Sequence, residues 1–419
     1  MLSLSEAALP AVRVVMDLRP LQEADRAPLT AAYLGNLLRA FAADPIDGET
    51  FVAILSLGLP DPTEAMPGLP VVARRWLPPT HRLGAGAMTL DPFALRGATI
   101  RAGGGSGHAA VYHVAGNSLP FAPGMPVVAT LLDLAPWELP HVYQASPAAR
   151  FGERLRARML RDAANVIVGT RAVARTAVRS LHLRPDRIRV VPLAADPALA
   201  AICEDPDVLA ASLSREIQRL DLPDRYFVTL GRYDARADIP TLLDALALLS
   251  RKARPETVPA ECLWPPAVAI AGASAEDRAA LARAAARRGL EGRLVYLPPL
   301  PQDRLASVVA GARGALRPSV SDAAGWSVLE AIACGTPVIA SSVGALPEIV
   351  GAAGVLVEPR DSSRLARALE AVWCDDSLNS QLRGAASAAQ ARRPAWAEVA
   401  AQTRAVYAEA ALASRAPSL

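Results

Sequence analysis

The fold of this chain is decided by residues 317–361, which read RPSVSDAAGWSVLEAIACGTPVIASSVGALPEIVGAAGVLVEPRD. Two carboxylates, Asp322 and Glu330, flank Gly325, which is suited to a tight turn. An apolar helical pattern then begins at Trp326. The backbone N–H groups and positive dipole at such a helix start favour a phosphate group. A carboxylate in the second turn can accept hydrogen bonds from two neighbouring hydroxyl groups, so the stretch predicts a site for a phosphorylated, hydroxylated ligand.

Composition indicates a large globular chain without a nucleic-acid partner. The 419 residues are enough for two or three domains with a large core. The net charge of +3 is nearly neutral over this length, which gives no electrostatic case for nucleic-acid binding. Lys252 is the single lysine, so almost all positive charge is arginine.

Cysteines and apolar runs point to the cytoplasm. The four cysteines are far apart, with no C-x-x-C pair and no histidine beside them: Cys203, Cys262, Cys334 and Cys374. We interpret them as reduced core thiols and predict no metal site. No apolar run approaches the length of a membrane span, and the first residues lack the pattern of a signal peptide. We therefore expect a cytoplasmic protein.

Strand and helix patterns alternate in two separate series. Strands of the first series are predicted at 12–18, 51–57, 71–73, 110–114, 126–134, 165–169 and 188–193. Strands of the second series are predicted at 226–230, 267–271, 293–297, 337–340 and 355–357. The segment 82–108 contains GAGAM and GGGSG without a phosphate-loop pattern, and we expect a flexible loop or lid there. Such alternation is typical of parallel sheets covered by helices on both faces.

The expected fold class is therefore α/β, with two Rossmann-like, doubly wound domains that face each other across a cleft. The expected division is 1–200 for the first domain, 201–225 for a connection, 226–392 for the second domain and 393–419 for a C-terminal helix that crosses back to the first domain. Ligands of these sheets bind beyond the carboxyl ends of the strands, so we expect the active site in the cleft.

A run of arginines marks the first domain. Arg150, Arg154, Arg156, Arg158 and Arg161 crowd one helical segment, and Arg171, Arg175 and Arg179 lie on the next. Two explanations remain open. The run is either a solvated basic face, which is the commoner case, or a patch for an anionic membrane surface or a lipid-linked phosphate.

The stretch 317–361 closely resembles the signature of retaining glycosyltransferases of family 4, roughly P-S-x-x-E-G-F-G-L-x-x-L-E-A-x-A-x-G-x-P-V-I-A-S. Other segments agree with the family in the same order: MDLRPLQ (16–22), PVVATLLDLAP (126–136), DRIRVVPLAADP (186–197) and YFVTLGRYDARADIPTLLDAL (226–246). The resemblance covers nearly the whole chain. It implies the GT-B fold, which coincides with the two domains expected from the alternation.

The resemblance also implies an activity. Members transfer a sugar from a nucleoside-diphosphate sugar to an acceptor hydroxyl, with retention at the anomeric carbon and without a metal or other cofactor. We expect a UDP- or GDP-sugar as donor and a glycan or lipid-linked acceptor, in glycan, exopolysaccharide or glycolipid synthesis. A cytoplasmic enzyme in peripheral contact with the anionic inner face of the membrane fits this expectation.

Site residues follow from the matching positions. Asp322 and Asp133 are the catalytic candidates, Asp322 by holding the donor sugar; Asp133 has an open alternative as the cap of the following turn. The expected donor-binding residues are Gly325, Trp326 and Ser327 with their amides at the diphosphate, Glu330 at the ribose, Arg232 and Arg236 near the phosphates, and Leu300 at the base.

Three positions depart from the family pattern. Asp322 stands where the family has glutamate, Leu132 where it has histidine, and Ala237 where it has a phosphate-binding lysine. These departures leave a second function open, a catalytically degenerate homologue that acts as a binding or scaffolding subunit. A nucleotide-sugar epimerase is a weaker alternative, because the family-4 motif runs without a gap.

Overall fold

The computed structural model describes residues 12–79, 87–103, 109–116, 119–204, 206–231 and 233–414. The chain divides into two compact units. The first unit comprises Met1–Leu193 and Pro394–Leu419, and the second comprises Ala194–Arg393.

The first unit is built on a parallel sheet of seven strands, in the order β3-β2-β1-β4-β5-β6-β7. Its strands are β1 (Val12–Asp17), β2 (Thr50–Ser56), β3 (Val71–Leu77), β4 (Ala109–Ala115), β5 (Val127–Thr130), β6 (Asn165–Val168) and β7 (Ile188–Val190). Its helices are α1 (Arg19–Gln22), α2 (Pro28–Ala43), α3 (Ala87–Gly103), α4 (Ala135–Glu138), α5 (Pro140–Tyr143), α6 (Pro147–Asp162), α7 (Arg171–Leu181) and α17 (Trp396–Ala413). The central strands are buried along most of their length, as parallel strands covered on both faces must be.

The second unit is built on a parallel sheet of six strands, in the order β10-β9-β8-β11-β12-β13. Its strands are β8 (Phe227–Thr229), β9 (Val268–Ile270), β10 (Leu294–Tyr296), β11 (Gly314–Arg317), β12 (Val338–Ser341) and β13 (Gly354–Val357). Its helices are α8 (Pro197–Glu204), α9 (Pro206–Leu220), α10 (Ile239–Ser250), α11 (Ala275–Ala286), α12 (Gln302–Gly311), α13 (Trp326–Ala333), α14 (Leu346–Val350), α15 (Ser362–Cys374) and α16 (Asp376–Gln390). One core cluster joins the sheet to α10 and α15, with the rings of Phe227 and Trp373 at 5.2 Å.

Each sheet is doubly wound, so the expectation of two Rossmann-like α/β units and a GT-B fold class is confirmed. In each, the strand order reverses next to the first strand of the unit, between β1 and β4 in one and between β8 and β11 in the other. Such a reversal opens a crevice beyond the carboxyl ends of the two strands.

One local expectation was wrong and one strand was missed. The segment 82–108, expected as a loop or lid, contains helix α3, whose inner face buries Leu95 and Ala98. The segment 201–225, expected as a connection, carries the end of α8 and the whole of α9. Strand β11 was not predicted, because its residues Gly-Ala-Leu-Arg include none of the β-branched residues that mark strands.

Helix α17 belongs to the first unit through buried polar contacts. The Arg404 guanidinium donates to both oxygens of Glu49, at 3.0 Å from Nε to Oε1 and 2.8 Å from Nη2 to Oε2. Both side chains are almost fully buried, and the guanidinium also stacks over the Phe41 ring. Glu409 of the same helix pairs with Arg189 near the surface. The Arg189 side chain is 33% exposed and the Glu409 side chain is 45% exposed.

Two further features of the chain are its lengths of apolar helix and its cysteines. Within the described part of the chain, no helix has the length and apolar character needed to cross a membrane. None of the four cysteines forms a disulfide. Cys334 is buried as expected, but the other three are half-buried rather than core thiols.

The two ion pairs of α17 give a matched test of what holds the helix. Arg404→Met leaves Glu49 as an uncompensated buried charge, so we expect the first unit to lose about 3–5 kcal/mol of stability. Arg189→Met, in β7, breaks the solvent-screened pair with Glu409 of the same helix and should cost less than about 1 kcal/mol. Hydrogen exchange with mass spectrometry reports the two units separately; equal loss of protection in the two variants would contradict this assignment.

Candidate functional site

The candidate site lies at the carboxyl ends of β8 and β11, at the strand reversal of the second unit. Residues 230–238 follow β8, and residues 318–325 follow β11. The two loops are tied together by backbone bonds, from Asp238 N to Pro318 O at 2.9 Å and from Val320 N to Arg236 O at 2.9 Å. Both halves of the sequence motif are therefore neighbours in the fold.

Gly325 forms the turn that starts α13. Its φ of 62° lies in the left-handed region, and a Cβ there would come within 2.3 Å of the Ile349 Cδ1 atom. Glycine is therefore required on both conformational and steric grounds. The i→i−4 bonds of α13 begin with Leu329 N donating to Gly325 O, so the amides of Trp326 and Ser327 precede this ladder at the start of the helix.

Asp322 fixes the geometry of this turn. Its Oδ1 accepts from the Gly325 N–H at 2.7 Å, and its Oδ2 accepts from Arg317 Nε at 2.8 Å. The side chain is almost fully buried, with 7% of its surface exposed. Both carboxylate oxygens thus have protein partners, which assigns Asp322 a structural role beside the catalytic one predicted for it.

Glu330 lies one turn further along α13 and is also buried, with 8% of the residue exposed. Its Oε1 accepts from the indole Nε1 of Trp326 at 2.9 Å. Burial raises the pKa of Glu330 to about 7; the indole hydrogen bond opposes the shift and the nearby Asp196 carboxylate adds to it. Glu330 is therefore a buried acceptor that changes charge near neutral pH.

The predicted phosphate-binding residues have separate outcomes. Arg236 is bound to Asp234, with Nε at 3.0 Å from Oδ2. Ala237 forms an antiparallel bridge with Ser319, and its side chain packs against the core of the unit. Arg232 lies outside the described residues.

The two remaining donor-binding predictions lie on the same edge of the second unit. Leu300 is half-buried in the loop after β10, a short distance along the chain from the buried Leu297. Ser327 is half-buried on the first turn of α13, and its Oγ has no hydrogen-bond partner among the described residues.

Asp133 and Leu132 belong to the first unit. The Asp133 carboxylate accepts from the Ala135 N–H at 2.9 Å, so it caps the turn into α4, the alternative that the sequence left open. Leu132 is buried, with 5% exposed.

A buried histidine of the first unit is structural. His113 bonds to Thr130 through Nε2 at 2.9 Å and to Tyr407 of α17 through Nδ1 at 2.6 Å. Burial lowers the pKa of His113 to about 3, so its ring is neutral under ordinary conditions.

One cation of the site was missed by sequence reasoning. Arg317 ends β11, and its Nη1 donates to the Leu230 carbonyl at 3.3 Å, across the strand reversal. Arg317 is the first residue of the Arg-Pro-Ser run that begins the stretch 317–361. It was not recognised as a site residue because strand β11, which places it at the sheet edge, was not predicted.

Comparison with known proteins gives two family matches. Residues 212–388 match the model of Glycosyl transferases group 1, and residues 30–194 match the model of the Glycosyl transferase 4-like domain. Together the two matched regions cover most of this chain. The group 1 domain includes the turn at Gly325 and both carboxylates of the candidate site, so the residue-by-residue resemblance and the family match agree on this region.

The curated relatives are glycosyltransferases. D-inositol 3-phosphate glycosyltransferase of Frankia alni is 29% identical over 375 residues, which are 84% of this chain and 88% of that protein. Matches to three other proteins of that name are 40%, 32% and 33% identical and span 29%, 57% and 57% of their lengths. The matched region thus spans at most 57% of the length of those three relatives.

Solved structures share the fold. Sucrose-phosphate synthase of Thermosynechococcus elongatus superposes with a TM-score of 0.66 at 20% identity, covering 94% of this chain and 98% of that one. Anabaena HepE in complex with UDP-glucose gives a TM-score of 0.64 at 16% identity, with the same coverage. The similarity at this identity shows the fold, which is GT-B.

The raised pKa of Glu330 predicts a pH-dependent cost to the fold. A carboxyl whose pKa is higher in the folded state than its ordinary 4.5 destabilises the fold as pH rises from 4.5 towards 7. Glu330→Gln keeps the shape without the charge, so it should raise the melting temperature at pH 8 and leave it nearly unchanged at pH 4.5. A difference between wild type and variant that is the same at both pH values would contradict this.

Proposed function

We propose that this chain is a retaining glycosyltransferase that moves a sugar from a nucleoside-diphosphate sugar to an acceptor hydroxyl. The observation that carries the proposal is the arrangement at α13 within the group 1 domain. There the first amides of a helix lie one turn from a buried carboxylate, Glu330. A diphosphate and a ribose diol are separated by a comparable distance in a nucleotide sugar, and each suits one of these groups.

The transfer requires stabilisation of the departing nucleoside diphosphate. In our proposal the amides of Trp326 and Ser327 and an arginine meet the phosphate charge, so the reaction proceeds without a metal or other cofactor. Gly325 contributes the turn before these amides, because its own N–H donates to Asp322. Glu330 binds the ribose and Leu300 lies at the base. Asp322 and Asp133 remain the catalytic candidates, and Arg232 and Arg236 the arginines of the family motif near the phosphates.

The relatives support the donor class of this proposal. Anabaena HepE was solved in complex with UDP-glucose, and several curated relatives are named D-inositol 3-phosphate glycosyltransferase. We propose a UDP- or GDP-sugar as donor for this chain. A glycan or lipid-linked acceptor bound by the first unit, in glycan, exopolysaccharide or glycolipid synthesis, completes the proposal.

The donor can be tested with a thermal-shift panel of UDP- and GDP-sugars. We expect at least one of them to raise the melting temperature of the second unit, because a ligand that binds only the folded state stabilises it. Glu330→Ala should abolish the shift, since the ribose loses its acceptor. The matched control is Glu276→Ala, which removes an exposed glutamate from the first turn of α11. No shift with any donor would contradict the proposal.

A second function is favoured by a specific observation. Leu132 and Ala237 are apolar side chains where the family has a histidine and a lysine, and both Asp322 oxygens are occupied. These features suit a catalytically degenerate homologue that binds nucleotide sugar and acts as a binding or scaffolding subunit. Donor binding with no release of nucleoside diphosphate, alone or with glycan and lipid acceptors, would favour this alternative over transfer.

We also propose that the enzyme is cytoplasmic and makes peripheral contact with the anionic inner face of a membrane. Arg150, Arg154, Arg158 and Arg161 are all exposed on α6, beside Phe151, which is 58% exposed. A basic face with an exposed aromatic suits an anionic lipid surface. A solvated face without a lipid partner remains the competing explanation.

Arg156, which the sequence placed in the same run, is not part of this face. It is 4% exposed, pairs with Glu153 at 3.5 Å and stacks over the Trp137 ring at 4.7 Å. The membrane proposal therefore concerns the four exposed arginines of α6 together with the exposed Arg171, Arg175 and Arg179 of α7.

Vesicle sedimentation distinguishes the two explanations. The full chain should sediment with phosphatidylglycerol vesicles and not with phosphatidylcholine vesicles. The double variant Arg154→Gln with Arg158→Gln should reduce binding about tenfold or more, at roughly 1 kcal/mol for each charge. The double variant Arg283→Gln with Arg287→Gln, which removes two exposed arginines at the end of α11, is the control. Equal binding by both variants would support the solvated face.

A further inference from the structure

An arginine, Arg317, lies at the strand reversal of the second unit. Arg317 is the last residue of β11, and β11 pairs in parallel with β8, Leu316 opposite Thr229. The Arg317 side chain therefore starts at the carboxyl edge of the sheet, in the crevice where ligands of doubly wound sheets bind. No other strand of this sheet ends in a charged residue, among the strands described here.

The guanidinium is held from two sides. Nε donates to Asp322 Oδ2 at 2.8 Å, and Nη1 donates to the Leu230 carbonyl at 3.3 Å. Gly231 leaves room for it, since a Cβ at that position would lie 3.2 Å from Nη1. Nη2 has no hydrogen-bond partner among the described residues, and 17% of the side chain is exposed. Donors of a fixed guanidinium thus remain available to a ligand.

The described part of the loop after β8 has one cation, Arg236, and that side chain is already paired. Arg236 is bound to Asp234, and Ala237 carries no charge where the family has its lysine. Burial acts to raise the pKa of Asp234, but hydrogen bonds from Arg236 and the charges of Arg236 and Arg317 lower it overall. The charge of Arg317 therefore reaches the loop that carries Ala237.

We infer that Arg317 supplies the charged contact to the diphosphate of the donor that Ala237 cannot make, and that Asp322 positions its guanidinium for this. The inference rests on the proposed function. A planar guanidinium binds phosphate through two parallel N–H bonds, which a lysine does not. Asp322 then acts on the donor phosphates through Arg317, in addition to any contact with the sugar.

The test compares ligands with and without the diphosphate by titration calorimetry on the full chain. Unaltered protein is titrated with UDP and GDP and with uridine and guanosine. Arg317→Met should weaken binding of the diphosphate about 10- to 100-fold, the loss of a charge-assisted hydrogen bond, and weaken the nucleoside less than about twofold. Arg317→Lys should be intermediate, because it keeps the charge but not the two-pronged geometry.

The control is Arg364→Met, which removes an arginine that is likewise paired with an aspartate, Asp361, at an exposed position in the first turn of α15. It should leave both ligands unchanged. If Arg317→Met weakens the binding of diphosphate and nucleoside equally, the role of Arg317 is structural only and the inference is wrong. Unchanged affinity for the diphosphate would also overturn the inference. If unaltered protein binds neither diphosphate, the proposed function itself fails and the inference fails with it. Melting curves of each variant confirm that it is folded.

Discussion

The carboxylate of Asp322 is the constraint on which the candidate site depends. One oxygen holds the Gly325 N–H and the other holds the Arg317 guanidinium, so a single buried group joins the end of β11 to the start of α13. Its backbone carbonyl accepts from Ala345 N at 2.8 Å, which adds the loop before α14 to the same structure. A strand end, a helix start and a neighbouring loop are thereby fixed relative to one another. Preorganised donors of this kind are what a charged ligand requires.

The phosphate end and the ribose end of the candidate site differ in how well their buried carboxylates are compensated by hydrogen-bond donors. At the phosphate end, burial of Asp322 is compensated by a backbone amide and a guanidinium. At the ribose end, Glu330 has an indole N–H, and burial raises its pKa to about 7. A buried carboxylate so weakly compensated is costly to the fold, and such groups are concentrated at functional sites. The hydroxyl groups of a bound ribose would provide the donors that the protein alone does not.

Much of the fold could be predicted from the sequence because its signals are local. Buried strands rich in β-branched residues identified both sheets, and the Gly-Trp-Ser turn followed by an apolar helix identified α13. Strand β11 was missed because it is only four residues long and its sequence, Gly-Ala-Leu-Arg, contains no β-branched residue. Helix α3 was missed because glycines flank it and Pro92 lies in it. The partners of Asp322 and Glu330 could not be predicted either, since the Arg317 and Trp326 contacts depend on side-chain directions that only the folded structure fixes.

A structure of the chain with UDP or GDP bound tests the central claim most directly. We expect the ribose hydroxyls to lie within hydrogen-bond distance of Glu330. We also expect the diphosphate to lie between the first amides of α13 and the guanidinium of Arg317. A nucleotide bound elsewhere on the second unit, or at this site with its phosphates away from α13 and its ribose away from Glu330, would contradict the account.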